Sequence, residues 1–318
     1  MGRKRFRGRP DWAQGKEVLW DVLTELGEDE PDIGFLEFID TGLFFSGLYT
    51  EVELGGESTQ VVVRVPRWDV GEEQPEAARR EIAVRRKLAD IDLPFAVPRP
   101  LGCADSDHGL AIVDQWVPGA SLGKKTIQAC VDPVEITAVV AAGCHAVDPE
   151  AFRPLLSGPA TRRGHAESAL GVLEKRDLPE FDDALQWARE HLPPTTPSRL
   201  LHGDLLGQNI LITIDLRDRD HWSASVIDWH AVAIGDPAYD LAIVSRGHRK
   251  VFCDGQPLEQ LVDTYNERAD EAIDIAHVRI YELWLKARHY LAEYRDGGET
   301  AHTEQLLHNF RALLRRCV

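Results

Sequence analysis

A polar loop between two short apolar runs is the feature of this chain that most restricts its fold. The loop is His202-Gly203-Asp204-Leu205-Leu206-Gly207-Gln208-Asn209, and the apolar run Ile210-Leu211-Ile212 follows directly. A second apolar run, Val226-Ile227, ends in Asp228, which lies 19 residues after Asn209. Short runs rich in β-branched residues and bounded by polar residues predict strands. The pattern therefore predicts two neighbouring strands, with an amide at the start of one and a carboxylate at the end of the other.

The spacing of Asp204, Asn209 and Asp228 is that of a kinase catalytic loop and the metal-binding Asp that follows it. Phosphoryl transfer needs little covalent help from a protein, because its main requirements are an oriented hydroxyl and positive charge around the phosphates. Asp204 would orient the attacking hydroxyl or accept its proton, and Asn209 and Asp228 would ligate Mg²⁺, which needs few protein oxygens. The alternative interpretation is a solvated polar turn that leads into an ordinary hairpin.

A second motif, Gly235-Asp236-Pro237-Ala238-Tyr239-Asp240-Leu241-Ala242, begins seven residues after Asp228. The segments H-G-D-L-L-G-Q-N-I-L, V-I-D-W and G-D-P-A-Y-D-L-A together resemble the aminoglycoside phosphotransferase family, which includes macrolide phosphotransferases, from about residue 35 to at least residue 290. The resemblance implies a protein-kinase-like two-lobed fold of the α/β (α+β) class, with a β-rich N-lobe and a mainly helical C-lobe. It also implies an ATP- or GTP-dependent phosphotransferase that acts on a hydroxyl of a small molecule.

The resemblance assigns roles to five residues of these motifs. It makes Asp204 the catalytic Asp, and it makes Asn209 and Asp228 the Mg²⁺ ligands. Asp236 and Asp240 are expected to be structural. In kinase-like folds an Asp of this kind binds the backbone of the catalytic loop, whose N–H groups would otherwise be unpaired in a buried place.

Composition predicts an ordinary soluble globular protein that is large enough for two lobes, since 43% of the 318 residues are hydrophobic and 28% are charged. No apolar stretch approaches the length of about 18 residues that a transmembrane helix needs. The basic N-terminus has no apolar run behind it, so we expect a flexible arm and not a secretory signal.

Charge and cysteine content restrict the partners and the compartment. The formal net charge of −17 disfavours nucleic acid and favours a cationic small molecule as the acceptor. The five cysteines are scattered without paired spacing, which is typical of reduced thiols in a cytoplasmic protein. We therefore expect a cytoplasmic monomer or dimer that binds neither nucleic acid nor membrane.

The N-lobe is expected to span residues 1–115, and the C-lobe, with the catalytic loop, metal site and acceptor region, residues 116–318. Apolar periodicity predicts a helix over 15–27 and strands over 34–39, 44–54 and 60–65, with Gly55-Gly56 as a hairpin turn. The segment from Gly42 to Gly47 lies where kinases place a phosphate-covering loop, and the backbone N–H groups of Ser46 and Gly47 are candidates for phosphate contact. A plain hairpin turn is the alternative.

Arg64 stands in strand 60–65, where a kinase has the Lys that binds the α- and β-phosphates. Arg is always charged and can bind a phosphate through two N–H groups, but it does not reproduce the geometry of Lys. A helix predicted over 75–89 carries Glu81, the candidate partner of Arg64. The alternatives are an Arg64 side chain that faces solvent and a Glu81 that pairs with Arg85 four residues later.

The strand Leu110-Ala111-Ile112-Val113 leads into Asp114-Gln115-Trp116-Val117-Pro118-Gly119, which resembles the hinge between the lobes of the family. The resemblance implies that backbone groups of Gln115, Trp116 and Val117 bind the adenine edge of the nucleotide. Backbone contacts leave no signature in the side chains, so this assignment follows from position alone.

Beyond the hinge the pattern is mostly helical, with helices over 134–147 and 180–192 and a helical region over 258–316 that breaks at Gly297-Gly298. His145 is expected to pack at a helix end, and the charged stretch 215–220 indicates a surface insertion. Family members build the acceptor pocket in the last helical region, where the candidates are Asp263, Glu267, Asp270, Glu271, Asp274, Tyr281, Glu282, Trp284 and Tyr290. Aromatic residues at helical spacing are more often core residues, and carboxylates are more often a solvated face.

Several classes of function fit the motifs. An antibiotic is the expected acceptor, either an aminoglycoside or, because V-V-V-R-V-P-R (Val61 to Arg67) and L-P-F-A-V-P (Leu93 to Pro98) look similar to macrolide kinases, a macrolide. The alternatives are a metabolite kinase of the choline or homoserine type and a nucleotide-binding pseudokinase. The intact catalytic triplet disfavours a pseudokinase, whereas the Arg at position 64 favours it. A protein kinase is disfavoured, because G-D-P-A-Y-D-L-A stands where A-P-E would follow Asp228.

Overall fold

Two compact units make up the chain in the computed structural model, which describes residues 12–41, 45–67, 73–176, 178–215, 218–245 and 258–317. The first unit comprises residues 2–92 and 96–118, and the second comprises residues 93–95 and 119–318. Within the described ranges, no helix combines the length and the apolar character that crossing a membrane would require.

One antiparallel sheet forms the frame of the first unit, with its described strands in the order β1-β2-β3-β5-β4. The strands are β1 (Glu37–Thr41), β2 (Phe45–Leu54), β3 (Glu57–Pro66), β4 (Pro100–Ser106) and β5 (Gly109–Gln115), and the helices are α1 (Trp12–Glu25) and α2 (Gln74–Leu88). The predicted turn between β2 and β3 has φ values of 60° at Gly55 and 80° at Gly56, a backbone conformation that glycine adopts without strain.

The two helices of the first unit cover opposite faces of this sheet. Successive side chains of a strand point to opposite sides. In β5, Ala111 and Val113 pack in the cluster that contains the apolar face of α1, whereas Leu110 and Ile112 pack against α2. Helix α1 lies earlier than predicted and ends at Glu25, because Gly27, with a φ of 103°, terminates it.

The second unit contains two small antiparallel sheets and most of the described helices. Its strands, in the orders β6-β8-β9 and β10-β7, are β6 (Ala120–Ser121), β7 (Arg199–Leu201), β8 (Ile210–Asp215), β9 (Asp218–Val226) and β10 (Ala233–Gly235). Its α-helices are α3 (Lys125–Gln128), α4 (Pro133–His145), α5 (Arg162–Glu174), α6 (Asp182–Glu190), α7 (Ala238–Ile243), α8 (Leu258–Asn266), α9 (Ile275–Gly297) and α10 (Ala301–Cys317). Short 3-10 turns span Pro149–Phe152, Pro179–Phe181, Gly207–Asn209 and Trp229–Ala231.

The predicted hairpin is present as β8 and β9, and its register places the motif residues. Ile210 pairs with Val226 at the open end of the hairpin. Asn209 directly precedes β8, and its carbonyl accepts the Ile227 N–H at 2.9 Å. Asn209 and Asp228 therefore lie at the same end of the hairpin, because the strands are antiparallel and pair from their first and last residues.

The helical region at the C-terminus is divided once more than the sequence predicted. Asp274 caps α9 by accepting the Ala276 N–H at 2.8 Å, so a new helix begins there and the predicted region becomes α8, α9 and α10. Phe181, Tyr290 and Phe310 then meet edge to face in the core formed by α5, α6, α9 and α10.

Candidate active site

Four charged side chains form a closed ring inside the first unit, which we call the charge ring. Arg64 on β3 donates from Nη2 to Glu81 Oε1 at 2.7 Å and from Nε to Asp114 Oδ2 at 2.8 Å. Arg85 completes the ring, with Nε 3.3 Å from Glu81 Oε1 and Nη1 2.8 Å from Asp114 Oδ1. Positive and negative groups alternate around the ring, so its formal charges cancel.

The charge ring decides between the alternatives that the sequence left open for Arg64 and Glu81. The Arg64 side chain is 18% exposed, so it does not simply face solvent, and Glu81 pairs with both Arg64 and Arg85. Within the charge ring, Arg85 contacts Glu81 and Asp114 as ion pairs without the angles of a hydrogen bond. Arg64 makes hydrogen bonds to the same two carboxylates. The contact of Asp114 with Arg64 was not predicted, because the two residues are 50 positions apart and no local spacing rule connects them.

Ser46 and Gly47 of the candidate phosphate-covering segment lie next to the charge ring in the sheet. Its residues 42–44 fall outside the described ranges. Ser46 is buried in β2 opposite Val65, and Gly47 is opposite Arg64. The ring of Phe45, the first residue of β2, lies 5.6 Å from Arg64 Cζ, which places an aromatic face against the guanidinium. Ser46 and Gly47 thus sit in the strand that borders Arg64.

Two of the three candidate N–H groups at the end of β5 are already engaged within the first unit. The Trp116 N–H donates to the Gln60 carbonyl at 2.8 Å, and the Gln115 N–H donates to the Arg99 carbonyl at 2.9 Å. Of the remaining groups, the Val117 N–H has no hydrogen-bond partner among the described residues, and the Gln115 carbonyl lies two residues before it. An acceptor and a donor two residues apart are suited to the edge of a purine base.

Asp240 fixes the start of the catalytic loop in the second unit. Its Oδ2 accepts the His202 N–H at 2.7 Å, and its Oδ1 accepts the Gly203 N–H at 2.8 Å. The buried His145 places Nε2 3.2 Å from the same carboxylate and Nδ1 3.0 Å from the Tyr265 hydroxyl. Burial by itself would raise the pKa of Asp240, but the hydrogen bond and charge of His145 and the hydrogen bond from the Gly203 N–H together lower it. The structural role expected for Asp240 is confirmed.

His202 is a neutral support of the loop. It is fully buried against the Trp229 ring, with the ring centroids 4.6 Å apart. Its Nε2 lies 3.0 Å from the Ile227 carbonyl, and its Nδ1 accepts the Asp204 N–H at 3.2 Å. Burial lowers the pKa of His202, in agreement with one donor and one acceptor nitrogen.

Gly203 occupies a position that only glycine fits. Its φ of 82° is left-handed, and an added Cβ would lie 1.9 Å from the Ala231 carbonyl oxygen. The second residue of the His202 motif is therefore fixed by the close approach of two backbone segments.

Asn209 holds Asp204 in place. Its Nδ2 donates to the Asp204 backbone carbonyl at 2.8 Å and to Asp204 Oδ2 at 3.1 Å. The Leu206 N–H also donates to the Asp204 carbonyl, at 2.7 Å. Because the amide nitrogen of Asn209 faces Asp204, its amide oxygen Oδ1 is the atom left to bind a cation.

Asp228 lies at the turn after β9 in a strained backbone conformation. Its φ of 67° and ψ of 57° are left-handed, and it is the sole residue other than glycine with a positive φ among those described. Its Oδ1 lies 2.7 Å from His230 Nδ1. Burial and, after it, the negative charge of Asp228 raise the pKa of Asp204 above its usual value. Two carboxylates that repel each other beside an amide oxygen form a donor set suited to a divalent cation.

Three of the six acidic acceptor candidates serve the fold. Glu271 accepts from Arg162 Nη1 at 2.7 Å and from the Thr196 hydroxyl at 2.9 Å, and Arg162 also binds Asp236 at 2.8 Å. Glu282 pairs with Arg279, and Asp274 caps α9. The exposed candidates are Asp263, Glu267 and Asp270. The network of Arg162, Thr196, Asp236 and Glu271 was not visible in the sequence, because its members come from four distant segments.

The aromatic acceptor candidates belong mainly to the core. Tyr281 and Tyr290 are buried, as expected for aromatic residues at helical spacing. Trp284 is half-buried, contacts Tyr239 with ring centroids 5.9 Å apart and carries the guanidinium of Arg288 4.6 Å above its ring. Of this set, Trp284 retains the most accessible aromatic surface.

Comparison with known proteins identifies the family of this chain. Residues 46–281 match the phosphotransferase enzyme family, and the chain belongs to that family. A viomycin phosphotransferase of Streptomyces vinaceus is 32% identical over 190 residues, which cover 52% of this chain and 61% of that relative. The chain thus spans less than two thirds of the length of the curated relative that it matches.

Solved structures establish the fold. The GDP complex of wild-type aminoglycoside 2'-phosphotransferase-IIIa has a TM-score of 0.62 at 18% identity and covers 94% of this chain and 97% of its own. Aminoglycoside phosphotransferase APH(4)-Ia has a TM-score of 0.64 at 16% identity and covers 95% of this chain and 98% of its own. The predicted kinase-like α/β fold, with a β-sheet N-terminal region followed by many helices, is confirmed.

Proposed function

We propose that the protein transfers the γ-phosphate of ATP or GTP to a hydroxyl group of a small-molecule antibiotic. The observation that carries the proposal is the catalytic loop, in which Asn209 binds Asp204 beside Asp228 on backbone that Asp240 fixes. Membership of the phosphotransferase enzyme family supports the reaction class. Structures of similar fold hold GDP, or ADP together with hygromycin B, which supports a nucleotide donor and an antibiotic acceptor.

In this proposal Asp204 receives the proton of the attacking hydroxyl. Its pKa is raised by burial and by Asp228, so the carboxylate is a better proton acceptor than a solvated Asp. The hydrogen bonds from Asn209 restrict its rotation, which keeps one carboxylate oxygen directed at the acceptor. The first effect favours proton transfer, and the second lowers the cost of aligning the hydroxyl with the phosphorus atom.

Asn209 and Asp228 are the proposed Mg²⁺ ligands, and the residues present fit that ion. Asn209 uses its amide nitrogen for the hydrogen bonds to Asp204, so its amide oxygen is left to bind the ion. Asp228 supplies a carboxylate. Bound Mg²⁺ would offset the negative charge of the donor phosphates. Burial and the negative charge of Asp228 raise the pKa of Asp204, and this repulsion between the two carboxylates supports a cation at this place.

The nucleotide contacts are proposed in the first unit. Arg64, positioned by Glu81, would bind the donor phosphates in place of the usual Lys, and the backbone of Ser46 and Gly47 would add N–H contacts. The Gln115 carbonyl and the Val117 N–H would bind the base. The Trp116 N–H is excluded from this role, because it already donates to Gln60.

Viomycin heads the set of proposed acceptors, because the curated relative is a viomycin phosphotransferase. Aminoglycosides and macrolides are the next candidates. Macrolides are included because the Val61–Arg67 and Leu93–Pro98 segments look similar to macrolide kinases. The formal net charge of −17 favours a cationic acceptor over a neutral one by long-range attraction.

The test is Mg²⁺-dependent nucleotide turnover by the purified full chain. The acceptor panel contains viomycin, hygromycin B, other aminoglycosides, macrolides, choline and homoserine, with ATP and GTP in parallel. Asp204→Ala should lower kcat by about 10²–10⁴-fold, because that is the usual contribution of a general base. Asp183→Asn, at an exposed helix position, is the matched control and should keep full activity.

Each outcome has a definite meaning. Phosphorylation of one antibiotic class that is lost in Asp204→Ala supports the proposal and identifies the acceptor. Turnover with choline or homoserine alone would transfer the same chemistry to a metabolite kinase. Nucleotide binding that never leads to turnover, with no effect of Asp204→Ala, would contradict catalysis and support a pseudokinase.

A further inference from the structure

The Arg at position 64 is matched by a second carboxylate that a Lys–Glu pair does not require. Arg64 uses Nη2 for Glu81 and Nε for Asp114 at the same time. A guanidinium presents its N–H groups in fixed, separate directions, whereas the ammonium of Lys is a single point of charge. One Lys nitrogen therefore cannot occupy both donor positions of Arg64.

Arg64 is the most exposed member of the charge ring and therefore the one that a ligand can contact. Its side chain is 18% exposed, while those of Glu81, Arg85 and Asp114 are 4%, 3% and 8% exposed. Asp114 and Glu81 hold two edges of the guanidinium, and the Phe45 ring lies against its face. The position of the guanidinium is thus fixed by its neighbours before any ligand arrives.

Arg85 explains how Asp114 can be buried at this place. A buried carboxylate without a compensating charge is strongly unfavourable. Adding Asp114 to the Arg64–Glu81 pair would leave one negative charge in excess. Arg85 supplies the missing positive charge, 2.8 Å from Asp114 Oδ1, and it also contacts the Pro98 carbonyl at 3.4 Å. Arg64, Asp114 and Arg85 therefore form one interdependent set.

We propose that Asp114 is a positioning residue for Arg64, and that its presence makes Arg, and not Lys, the side chain that position 64 requires. The inference rests on the proposed function, in which Arg64 binds the donor phosphates. Asp114 accepts a hydrogen bond from the Nε–H of Arg64 and so sets the rotation of the guanidinium plane. Phosphate affinity then depends on a residue that itself contacts no phosphate.

The effect of removing the Asp114 charge should change sign with the residue at position 64. When Arg64 is present, Asp114→Asn weakens the bond at Nε and loosens the guanidinium, so nucleotide affinity falls. When Lys stands at position 64, Asp114 competes with Glu81 for one ammonium group. Asp114→Asn removes that competitor, returns the ammonium to Glu81 and restores part of the affinity.

The experiment is a double-mutant cycle on the full chain with wild type, Arg64→Lys, Asp114→Asn and the double variant. Calorimetry measures the dissociation constant of each protein for a non-hydrolysable ATP or GTP analogue in the presence of Mg²⁺. The measurements are made well below the unfolding temperature of each protein. Arg64→Lys should weaken binding about tenfold, the usual cost of a lost charge-assisted hydrogen bond. The double variant should bind more tightly than Arg64→Lys alone.

Two controls separate positioning from loss of structure. Arg80→Lys replaces an exposed arginine on α2, the helix that carries Glu81 and Arg85, and should leave the nucleotide affinity unchanged. Adenosine or guanosine, which has no phosphate, should bind all four proteins of the cycle equally. A purely structural role of Asp114 would weaken the nucleoside and the triphosphate analogue together.

The outcomes distinguish this inference from the proposed function. Independent effects of the two substitutions, or tighter binding by Asp114→Asn alone, would overturn the positioning role while nucleotide binding by the wild type stands. A wild type that binds neither analogue would contradict the proposed function, and the inference would fall with it. A gain from Asp114→Asn in the Lys background, together with a loss in the Arg background, is the result that supports the inference.

Discussion

The charge ring and the catalytic loop both gather buried or half-buried carboxylates, but they treat the negative charge differently. In the charge ring, Glu81 and Asp114 each lie within ion-pair distance of two arginines. At the catalytic loop, Asp204 is bound by the amide of Asn209, and the charge of Asp228 raises its pKa. One cluster is electrically complete, whereas the other contains carboxylates that repel each other.

This difference separates a balanced ion network from the carboxylates that we propose as part of a cation site. A balanced ion network loses stability when any member is neutralised, since the remaining charges stay buried without a partner. Carboxylates that repel each other should gain stability, or lose none, when one of them is neutralised. The sign of the change in unfolding free energy therefore separates the two kinds of cluster, and Asp240 shows how a carboxylate near the catalytic loop can belong to the first kind.

The largest effect is expected at Asp240, which is fully buried and binds two backbone N–H groups and His145. Asp240→Ala should lower the unfolding free energy by about 3–5 kcal/mol, because it leaves these donors buried without an acceptor. Denaturant unfolding followed by circular dichroism measures the change. Asp182→Ala, at an exposed position of α6, is the control and should change little. A loss below about 1 kcal/mol for Asp240→Ala, the scale of an ordinary surface change, would show that the loop does not depend on this carboxylate.

The next largest effect is expected at Glu81 in the charge ring. Glu81→Gln keeps the size of the side chain but removes the charge shared by Arg64 and Arg85, so we expect a loss of about 2–3 kcal/mol. Glu76→Gln, an exposed change in the same helix, provides the comparison. If both substitutions cost the same in chemical denaturation, the charge ring would not be the balanced support described above.

A smaller, pH-dependent part of the Asp240 effect should appear in acid. The pKa of Asp240 is lower in the folded chain than its usual value of 3.8, so its ionised form stabilises the fold. That contribution is fully present above the usual value and is lost as the pH falls through the folded pKa. The wild type should therefore lose more stability than Asp240→Asn between pH 5 and pH 2, a range that brackets about two units around the usual pKa. Equal acid slopes for the two proteins would contradict the lowered pKa.

The parts of the site that the sequence predicted are those that local patterns encode. Asn209 and Asp228 flank two strands of one hairpin, so their location at the same end of it follows once the strands are recognised. Gly203 is part of the motif that identifies the loop, although the reason for it, the close approach of the Ala231 carbonyl, is visible only in three dimensions. Motif and strand periodicity therefore sufficed to place Asn209 and Asp228 at one end of the hairpin.

The parts that the sequence did not predict depend on contacts between distant segments. Asp114 lies 50 positions from Arg64, and His145 lies 95 positions from Asp240. No helical or strand period connects residues at such separations, because the fold itself brings them together. The acidic acceptor candidates show the converse, since Glu271 and Glu282 fit a cationic acceptor by composition but are engaged by Arg162 and Arg279.

The smallest expected effect has the opposite sign and tests the comparison most directly. Asp228→Asn should leave the unfolding free energy of the metal-free protein unchanged or raise it by up to about 1 kcal/mol, because the repulsion with Asp204 is removed at the small cost of an exposed contact with His230. Asn also tolerates the left-handed backbone at this position, so the substitution adds little strain. Phosphotransfer and Mg²⁺-dependent stabilisation by nucleotide should both be lost. His230→Ala is the companion variant, and its loss of the same contact should not raise stability. If Asp228→Asn destabilised the metal-free chain as strongly as Glu81→Gln, Asp228 would be a structural carboxylate like Asp240, and the cation site would have to be sought elsewhere.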